Sequence, residues 1–369
     1  MATKKNRALS SLLLRINQLF SLLIAFSLLL ANASTWIAPS TFVFPSYFGL
    51  GFPFLFFLNL MYVVFWIYKR KWTFLIAVAS LLISYPNYTH TIRIKSAQLA
   101  DLPQENLKVM SYNIRYFDRF NWSGEEDTRR LLMNYILESE ADVICLQEYI
   151  PLKQDKHYLE FMRRMREKGY ADYYESNDPK SGVGLITFSR YPILSRETIH
   201  FESSYNSAIY TDIKVDFKRI RIYNAHLQSI YFDKDEYALF ERFSLQERDE
   251  NMKKVRRIWS LLSDAWIKRE TQAKLLHESM IDSPYPLILA ADFNDSPVSY
   301  TYKTMEGGFK DAFLESGTGL SKTYTKLFPG LRIDFLFHSQ DIQSFEYQVD
   351  RVGYSDHFPI HAHFSIPEK

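Results

Sequence analysis

A few types of polar residue recur at the ends of apolar runs through the last two thirds of the chain. In order they are Asn113 in KVMSYNIRYFD, Gln147 and Glu148 in DVICLQEY, Asn224 and His226 in IRIYNAHLQS, Asp292 and Asn294 in LILAADFND, Asp334 in LRIDFLF, and Ser355, Asp356 and His357 in GYSDHFPI. Carboxylates offer hard oxygen ligands to Mg²⁺, amides can hold phosphoryl oxygens, and two histidines can carry protons or charge. That inventory is what metal-assisted phosphoester hydrolysis requires, with Mn²⁺ as an alternative ion. Apolar strands that end in such groups predict a polar site at the lip of a buried sheet.

The elements that must position these residues can be read from the same stretches. LKVMSYNIRYF alternates and then ends, as a core strand does, and Ser111 and Asn113, two apart, share one face. EEDTRRLLMNYILESEA carries Leu131, Leu132, Tyr135 and Ile136 at helical spacing, and HYLEFMRRMREKGY reads as a second helix. DVICLQEY is continuously apolar before its polar end, which predicts a strand buried on both faces. SGVGLITFSRYPI, IYTDIKVDF and RIRIYNAHL read as successive antiparallel strands. The charged segment from Asp233 to about Ser279 reads as helix, with Trp259, Leu262 and Trp266 on its core face. PLILAADFN, RIDFLFHS and HFPIHAHFSI supply the last strands. This order predicts an α/β protein with two central sheets packed face to face.

The chain has 369 residues, enough for one large domain and an appendage, and 47% of them are apolar. With 44 basic and 42 acidic residues the net charge is only +2, so the total carries no nucleic-acid footprint, although a local basic cleft would not register in it. The single cysteine, Cys145, excludes an internal disulfide, and its apolar neighbours predict a buried small hydrophobe.

The first 91 residues read as a membrane anchor of three helices, at about 12–33, 48–68 and 72–89, and the polar stretch 92–106 reads as a linker to a catalytic domain over 107–369. A cleaved signal peptide fits the basic start and the Ala-Asn-Ala-Ser that closes the first apolar stretch, but not the apolar spans that follow. Lys4, Lys5, Arg7 and Arg15 and the cluster Lys69, Arg70 and Lys71 belong on the cytoplasmic side by the positive-inside rule. A third crossing then exports the catalytic portion, and the third stretch is the shortest. The lipid bilayer is the expected partner of these helices. The charge pattern suits a multi-pass bacterial inner-membrane protein with its catalytic domain outside the cytoplasm, and no protein partner is expected.

Taken in order, the motifs resemble the endonuclease/exonuclease/phosphatase superfamily, the DNase I-like enzymes that include nucleases, sphingomyelinases and inositol phosphate phosphatases. The resemblance covers about Leu107 to Ile366 and implies a four-layer α/β/β/α sandwich. It implies that Glu148 and Asn113 hold or adjoin Mg²⁺, and that Asp292 orients or deprotonates the attacking water while Asn294 holds a phosphate oxygen. His226, with Asn224 on the same face, falls near the scissile phosphate. Asp356 and His357 match the terminal Ser-Asp-His motif. Asp334 is a candidate to buttress His357, leaving Asp356 nearer the metal, and this division stays open at this point. Many relatives have Gly where this chain has Ala291.

The substrate is a phosphodiester of one of two kinds. A lipid head group fits the anchor. A nucleic acid needs a basic groove, for which Arg115, Arg119, Lys322, Lys326 and Arg332 are wall candidates, and Tyr116, Phe117 and Phe120 could meet a membrane or stack on a base. The alternative is a non-catalytic membrane scaffold that keeps the fold, which predicts eroded site residues.

Overall fold

The computed structural model describes residues 2–94, 102–124, 127–230, 248–326 and 331–366. Two compact units emerge: Met1–Ile92 with Pro297–Lys303, and Arg93–Ser296 with Thr304–Lys369.

The first unit is helical: α1 (Ala2–Ala33), α2 (Phe44–Leu50), α3 (Phe52–Tyr68) and α4 (Phe74–Thr91). Its polar side chains point inward. Asn59 Nδ2 donates to Ser80 Oγ at 2.5 Å, Trp66 Nε1 to Ser21 Oγ at 2.9 Å, and Asn32 Nδ2 to Ser84 Oγ at 2.6 Å. Large apolar side chains point outward instead, among them Phe26, Phe54, Met61 and Leu82. Leu28, Phe52 and Trp66 are buried beside these polar groups, and an apolar exterior around such an interior is compatible with a lipid surround. Three crossings were expected. Among the described residues one helix, Leu9–Ala33, is long and apolar enough on its own, and α2 with α3 makes a second only if the pair, bent by 74°, counts as one span. Helix α4 falls short because its last turns, SYPNYTHT, are polar and contain Pro86. Pro297–Lys303, read in the sequence as catalytic domain, clusters with these helices. Gly49 makes room for it, since a Cβ there would lie 2.4 Å from both Ser34 Oγ and the Val298 carbonyl oxygen.

The second unit holds two six-stranded sheets. One runs β11-β12-β1-β2-β4-β3, from Ser344–Val349, Ile360–Ser365, Asn106–Asn113, Val143–Tyr149, Gly184–Ser189 and Asp172–Asn177. The other runs β9-β10-β8-β7-β6-β5, from Lys310–Asp311, Asp334–His338, Leu287–Asp292, Lys218–His226, Ser207–Val215 and Ile193–His200. The sheets meet face to face over Val109, Val143, Cys145, Ile222, Ile288, Leu336 and Ala362. On β2 the alternate residues Ile144 and Leu146 join a separate core with Leu132 and Ile136 of α5 (Thr128–Glu138) and Phe161 of α6 (Lys156–Glu167). Successive strand residues face opposite sides, so a strand sandwiched between layers is apolar throughout. On the far sheet Tyr223 Oη donates to the Ser279 carbonyl of α7 (Arg248–Ile281) at 2.8 Å. The layers are helix, sheet, sheet, helix, as expected.

Two expectations are corrected. GLITFS is not the first of three consecutive antiparallel neighbours: β4 pairs with β2 and β3 in one sheet, and only β5, β6 and β7 are neighbours in the other. The chain changes sheet at Arg190–Pro192, where the proline cannot donate to a ladder. Trp266 is buried as expected but Trp259 is half exposed. The start of the predicted helix, Asp233 to Gln246, lies outside the described residues.

One half-buried carboxylate makes the fold acid-sensitive. Glu315, on α8 (Ala312–Ser316), accepts from the Ser344 N–H at 2.6 Å and the Ser344 hydroxyl at 2.8 Å and lies 3.1 Å from His338 Nε2. Burial opposes its ionisation, yet His338 and Ser344 hold the carboxyl below its ordinary 4.5, at about 2. A folded value below the unfolded one means stabilisation that is complete above about pH 4.5 and fades as the pH falls toward 2, on the order of 3 kcal/mol at full strength. Melting of the protein and its Glu315→Gln variant in detergent is therefore expected to differ most at neutral pH and to converge only as the pH falls to about 2. An equal difference at both would refute this.

Candidate active site

Two parallel strand pairs create the site. In β1 and β2 Asn113 is level with Gln147, and in β7 and β8 His226 is level with Asp292. Parallel neighbours end at the same edge, so the polar termini of all four strands collect at one lip. Strand β10 starts there, with Asp334 level with Asp292. Strand β12 runs antiparallel to β1 with Ile360 level with Ser111, which brings the preceding Asp356 and His357 to the same lip.

Asn113 ties the two sheets together. Its Nδ2 donates to Asp292 Oδ2 at 2.9 Å and to Glu148 Oε1 at 3.3 Å, while its Oδ1 accepts the Arg115 N–H at 3.1 Å. Glu148 gets there through a register shift against β4 between Leu146 and Tyr149, and it sits at a φ of +50°. A bulge re-aims a strand-end side chain, and a glutamate at positive φ is strained, a state that persists where the surroundings enforce it. Asn294, at a φ of +52°, donates its N–H to Asp292 Oδ1 at 2.8 Å and its Nδ2 to the Leu227 carbonyl at 3.2 Å. Asn tolerates this region better than most residues.

His226 Nε2 is buried and makes no hydrogen bond; it lies 3.6 Å from Asp292 Oδ2 and 4.0 Å from Glu148 Oε1. His357 Nδ1 faces Asp334 at 3.0 Å, with Asp292 Oδ2 at 3.8 Å. Burial alone would depress the His357 imidazole, but Asp334 and then Asp292 overcome it and push it up to about 10. The division left open by the sequence is resolved in space: Asp334 carries the contact to His357, while Asp356 turns away to the Arg115 guanidinium, 3.3 Å from its Oδ2. Burial raises the Glu148 carboxyl; His226 draws it back and the nearby Asp356 pushes it further up.

Two donor sets could hold a metal ion. Asp292, Asp334 and His357 offer ligand atoms within 4.8 Å of one another. Their closeness has another cause, since an Nδ1–H that donates to Asp334 has no lone pair for an ion. Glu148 and Asp356 are neighbouring half-buried carboxylates, Asp356 paired with Arg115, and their oxygens suit a hard cation. Asn113 stands beside them but presents its amide donors to the carboxylates.

Asn224 does not reach the lip. It is fully buried, donating to the Leu146 and Ile186 carbonyls at 3.2 and 3.0 Å and accepting from Gln147 Nε2 at 2.8 Å. It pins one sheet to the other beneath the site. Arg332 is no wall residue either: it is buried and bound to Asp311. Phe117 belongs to the core. Arg115, expected as a groove wall, is instead paired with Asp356, and Tyr116, expected to meet a membrane or a base, is a site neighbour of Glu148. Burial and then the Glu148 carboxylate raise the Tyr116 phenol. A cleft of about 440 Å³ opens beside His226 and is walled by Tyr116, Tyr205, Gln228, Asp264 and Lys268.

With this geometry in hand, comparisons give the following. A sequence model of the Endonuclease/Exonuclease/phosphatase family matches residues 110–357, and one described as a domain of unknown function matches residues 10–91. No curated protein matches the chain. Among solved structures, an endonuclease/exonuclease/phosphatase from Beutenbergia cavernae is similar with a TM-score of 0.52 and 15% identity, over 72% of each chain. D. rerio TDP2 complexed with a single-strand DNA product is similar at 0.51 and 18%, over 71% of this chain and 100% of that one. The human Nocturnin catalytic domain with a bound sulfate anion is similar at 0.50 and 18%, over 72% and 95%. At these identities the likeness is one of fold.

Proposed function

The chain belongs to the endonuclease/exonuclease/phosphatase family, and on that premise we propose that it is a Mg²⁺-dependent phosphodiester hydrolase held in a membrane by its N-terminal helices. The observation that carries this reading is the Asn113 amide, which bridges Glu148 on one sheet to Asp292 on the other with the unpartnered His226 Nε2 alongside. Such a convergence of carboxylates and an unsatisfied imidazole serves no packing purpose.

Glu148 and Asp356 would hold the ion, which when bound supplies positive charge to phosphoryl oxygens. Asp292, fixed by Asn113 and the Asn294 N–H, takes the proton from the attacking water. The Asn294 amide is close enough to the same lip to hold a phosphoryl oxygen. His226 donates to a non-bridging oxygen or the leaving group. His357, kept charged by Asp334, stabilises the negative charge that develops on phosphorus oxygens. No covalent enzyme intermediate is needed.

The substrate reading that the geometry favours is a lipid head group. Two of the expected wall residues are committed elsewhere: Arg332 is buried and Arg115 is tied to Asp356, and among the described residues lining the cleft Lys268 is the one lysine or arginine, with Asp264 on the same wall. A polyanionic strand needs a run of such cations. A second reading, single-stranded nucleic acid, draws on the DNA product in the TDP2 complex. Helix α1 with α4 runs opposite to α3, as the pairs Asn32–Ser84 and Trp66–Ser21 require. Lys69–Lys71 then lie at one end and Thr91 at the other, which supports an extracytoplasmic catalytic unit.

The test is hydrolysis by the full chain in detergent, with Mg²⁺ or EDTA, of sphingomyelin- and glycerophospholipid-type head groups, single-stranded DNA, RNA and bis-p-nitrophenyl phosphate. Mg²⁺-dependent release from a lipid at rates above those on nucleic acid is the expected result. Preference for a strand would replace the lipid reading, and no turnover by protein that binds no Mg²⁺ would return the scaffold.

A further inference from the structure

One face of α7 carries three side chains that the proposed chemistry does not use. Trp266, Arg269 and Gln272 follow one another at intervals of three residues, which places them on one side of the helix. All three are buried, and Arg269 is only 1% exposed. A guanidinium in that position carries a desolvation penalty, so what it holds is informative.

Its partners belong to two loops that leave the catalytic lip. Arg269 Nε donates to the Gln228 carbonyl at 2.7 Å, two residues past His226, and Nη1 lies 3.9 Å from Asp295 Oδ2, one residue past Asn294. Gln272 Oε1 accepts the Gln228 N–H at 2.7 Å, and Trp266 Nε1 donates to Asp295 Oδ1 at 3.4 Å. One helix face therefore grips both loops. At the lip itself the loops are joined directly: the Leu227 N–H donates to the Asp292 carbonyl at 2.9 Å, and Asn294 Nδ2 donates to the Leu227 carbonyl at 3.2 Å.

Stability is a poor account of this arrangement. At 3.9 Å the Arg269–Asp295 pair is longer than a hydrogen bond, and a buried guanidinium without a bidentate carboxylate offsets little of its desolvation. Burial lowers the Arg269 guanidinium, and Asp295 and then Asp292 act against that. Gln272 is only half used, because its Nε2 is buried without a partner among the described residues, a loss that an apolar side chain would avoid. What Arg269 and Gln272 achieve together is a fixed place for the Gln228 backbone, whose N–H and carbonyl they both hold.

We infer that Arg269, with Gln272, is a positioning residue of the active site, fixing the loops at Gln228 and Asp295 so that His226 and Asn294 face the reacting phosphate together. It acts through these loops and touches no substrate. The inference rests on the hydrolase reading for its chemistry and on the clamp alone for its structure.

The test compares the full chain in detergent with Arg269→Met, Arg269→Lys, Gln272→Leu, and Arg269→Met combined with Asp295→Asn. The combined variant removes both buried charges, so the fold is spared the unpaired carboxylate that Arg269→Met leaves behind. With Mg²⁺ and bis-p-nitrophenyl phosphate, Arg269→Met is expected to lower kcat about 10²-fold and leave KM unchanged, the size of effect that a misplaced catalytic group produces. Arg269→Lys, which can still donate to the Gln228 carbonyl, is expected to recover most of the loss. The combined variant is expected to regain its melting temperature but not its kcat. Recovery of kcat along with the fold would make Arg269 structural and overturn the assignment. Hydrogen exchange over residues 224–230, recorded without substrate, reads the clamp independently of turnover. Gln272→Leu and Arg269→Met are expected to speed exchange of the Gln228 amide about tenfold, and an unchanged rate in both would also overturn the assignment. A wild type inactive on the phosphodiester, with the exchange response present, would count against the hydrolase reading and for the clamp.

Discussion

Replacing Glu148 by Gln is expected to lower Mg²⁺-dependent turnover by about 10³-fold or more while leaving the protein at least as stable as wild type. A lost carboxylate ligand removes charge stabilisation worth several kcal/mol, and about 4 kcal/mol corresponds to that factor. The stability half follows from the site without its ion. Burial raises the Glu148 carboxyl and Asp356 repels it, so a neutral side chain of the same shape relieves an unfavourable charge. Asn113, which reaches Glu148 Oε1 at 3.3 Å, can still donate to the amide oxygen of Gln. A misfolded enzyme would lose activity and stability together; here the two should part. The measurements are turnover and Mg²⁺ binding by titration calorimetry, beside a melting curve recorded in EDTA. Turnover within tenfold of wild type, with undiminished ion binding, would remove Glu148 from the metal site.

How much of this site could be read from the chain depends on which physical constraint governed each residue. Alternation and apolar runs located the strands because a strand between two layers has no polar side, and Val143 to Leu146 divides evenly between the two cores. The order of polar termini located the lip because parallel pairing forces His226 level with Asp292. Spacing could not say how deep a residue sits. Asn224 and His226 share a face two residues apart, yet one is sealed under Gln147 and the other opens on the cleft. Two residues along a strand amount to nearly 7 Å, enough to pass from interior to lip. The bulge at Glu148 was equally hidden, because a register shift belongs to a pair of strands and leaves no mark in one. Arg332 looked like a groove residue until its partner Asp311, well separated in sequence, was seen to bury it. The third stretch is the weakest of the expected spans because α4 is apolar mainly in its first half, so by length and composition one helix, or two with the bent pair, qualifies among the described residues.

Asp292→Asn is expected to lower kcat by about 10³-fold while Mg²⁺ binding survives, and here stability should fall as well. The proposed proton acceptor is lost, and general-base catalysis contributes roughly 10² to 10⁴ in rate. Unlike Glu148, this carboxylate is fully buried and both its oxygens accept: Oδ1 from the Asn294 N–H at 2.8 Å and Oδ2 from the Asn113 amide at 2.9 Å. An asparagine can turn its oxygen to only one of them. Its NH₂ then faces a donor, which leaves a buried group unpaired at a penalty of about 1–3 kcal/mol. The nearby imidazoles respond too. His357 loses one of the carboxylates that hold it near 10, so its value should drop although Asp334 and Asp356 remain. The pair of variants therefore separates the roles: Glu148→Gln strikes ion affinity and spares the fold, whereas Asp292→Asn strikes kcat and the fold and spares ion affinity. Single-turnover rates, Mg²⁺ titration and melting temperatures for both variants make the comparison. If Asp292→Asn abolished Mg²⁺ binding while Glu148→Gln left it intact, the ion would belong on Asp292, Asp334 and His357, and the assignment of Glu148 and Asp356 as its ligands would fail.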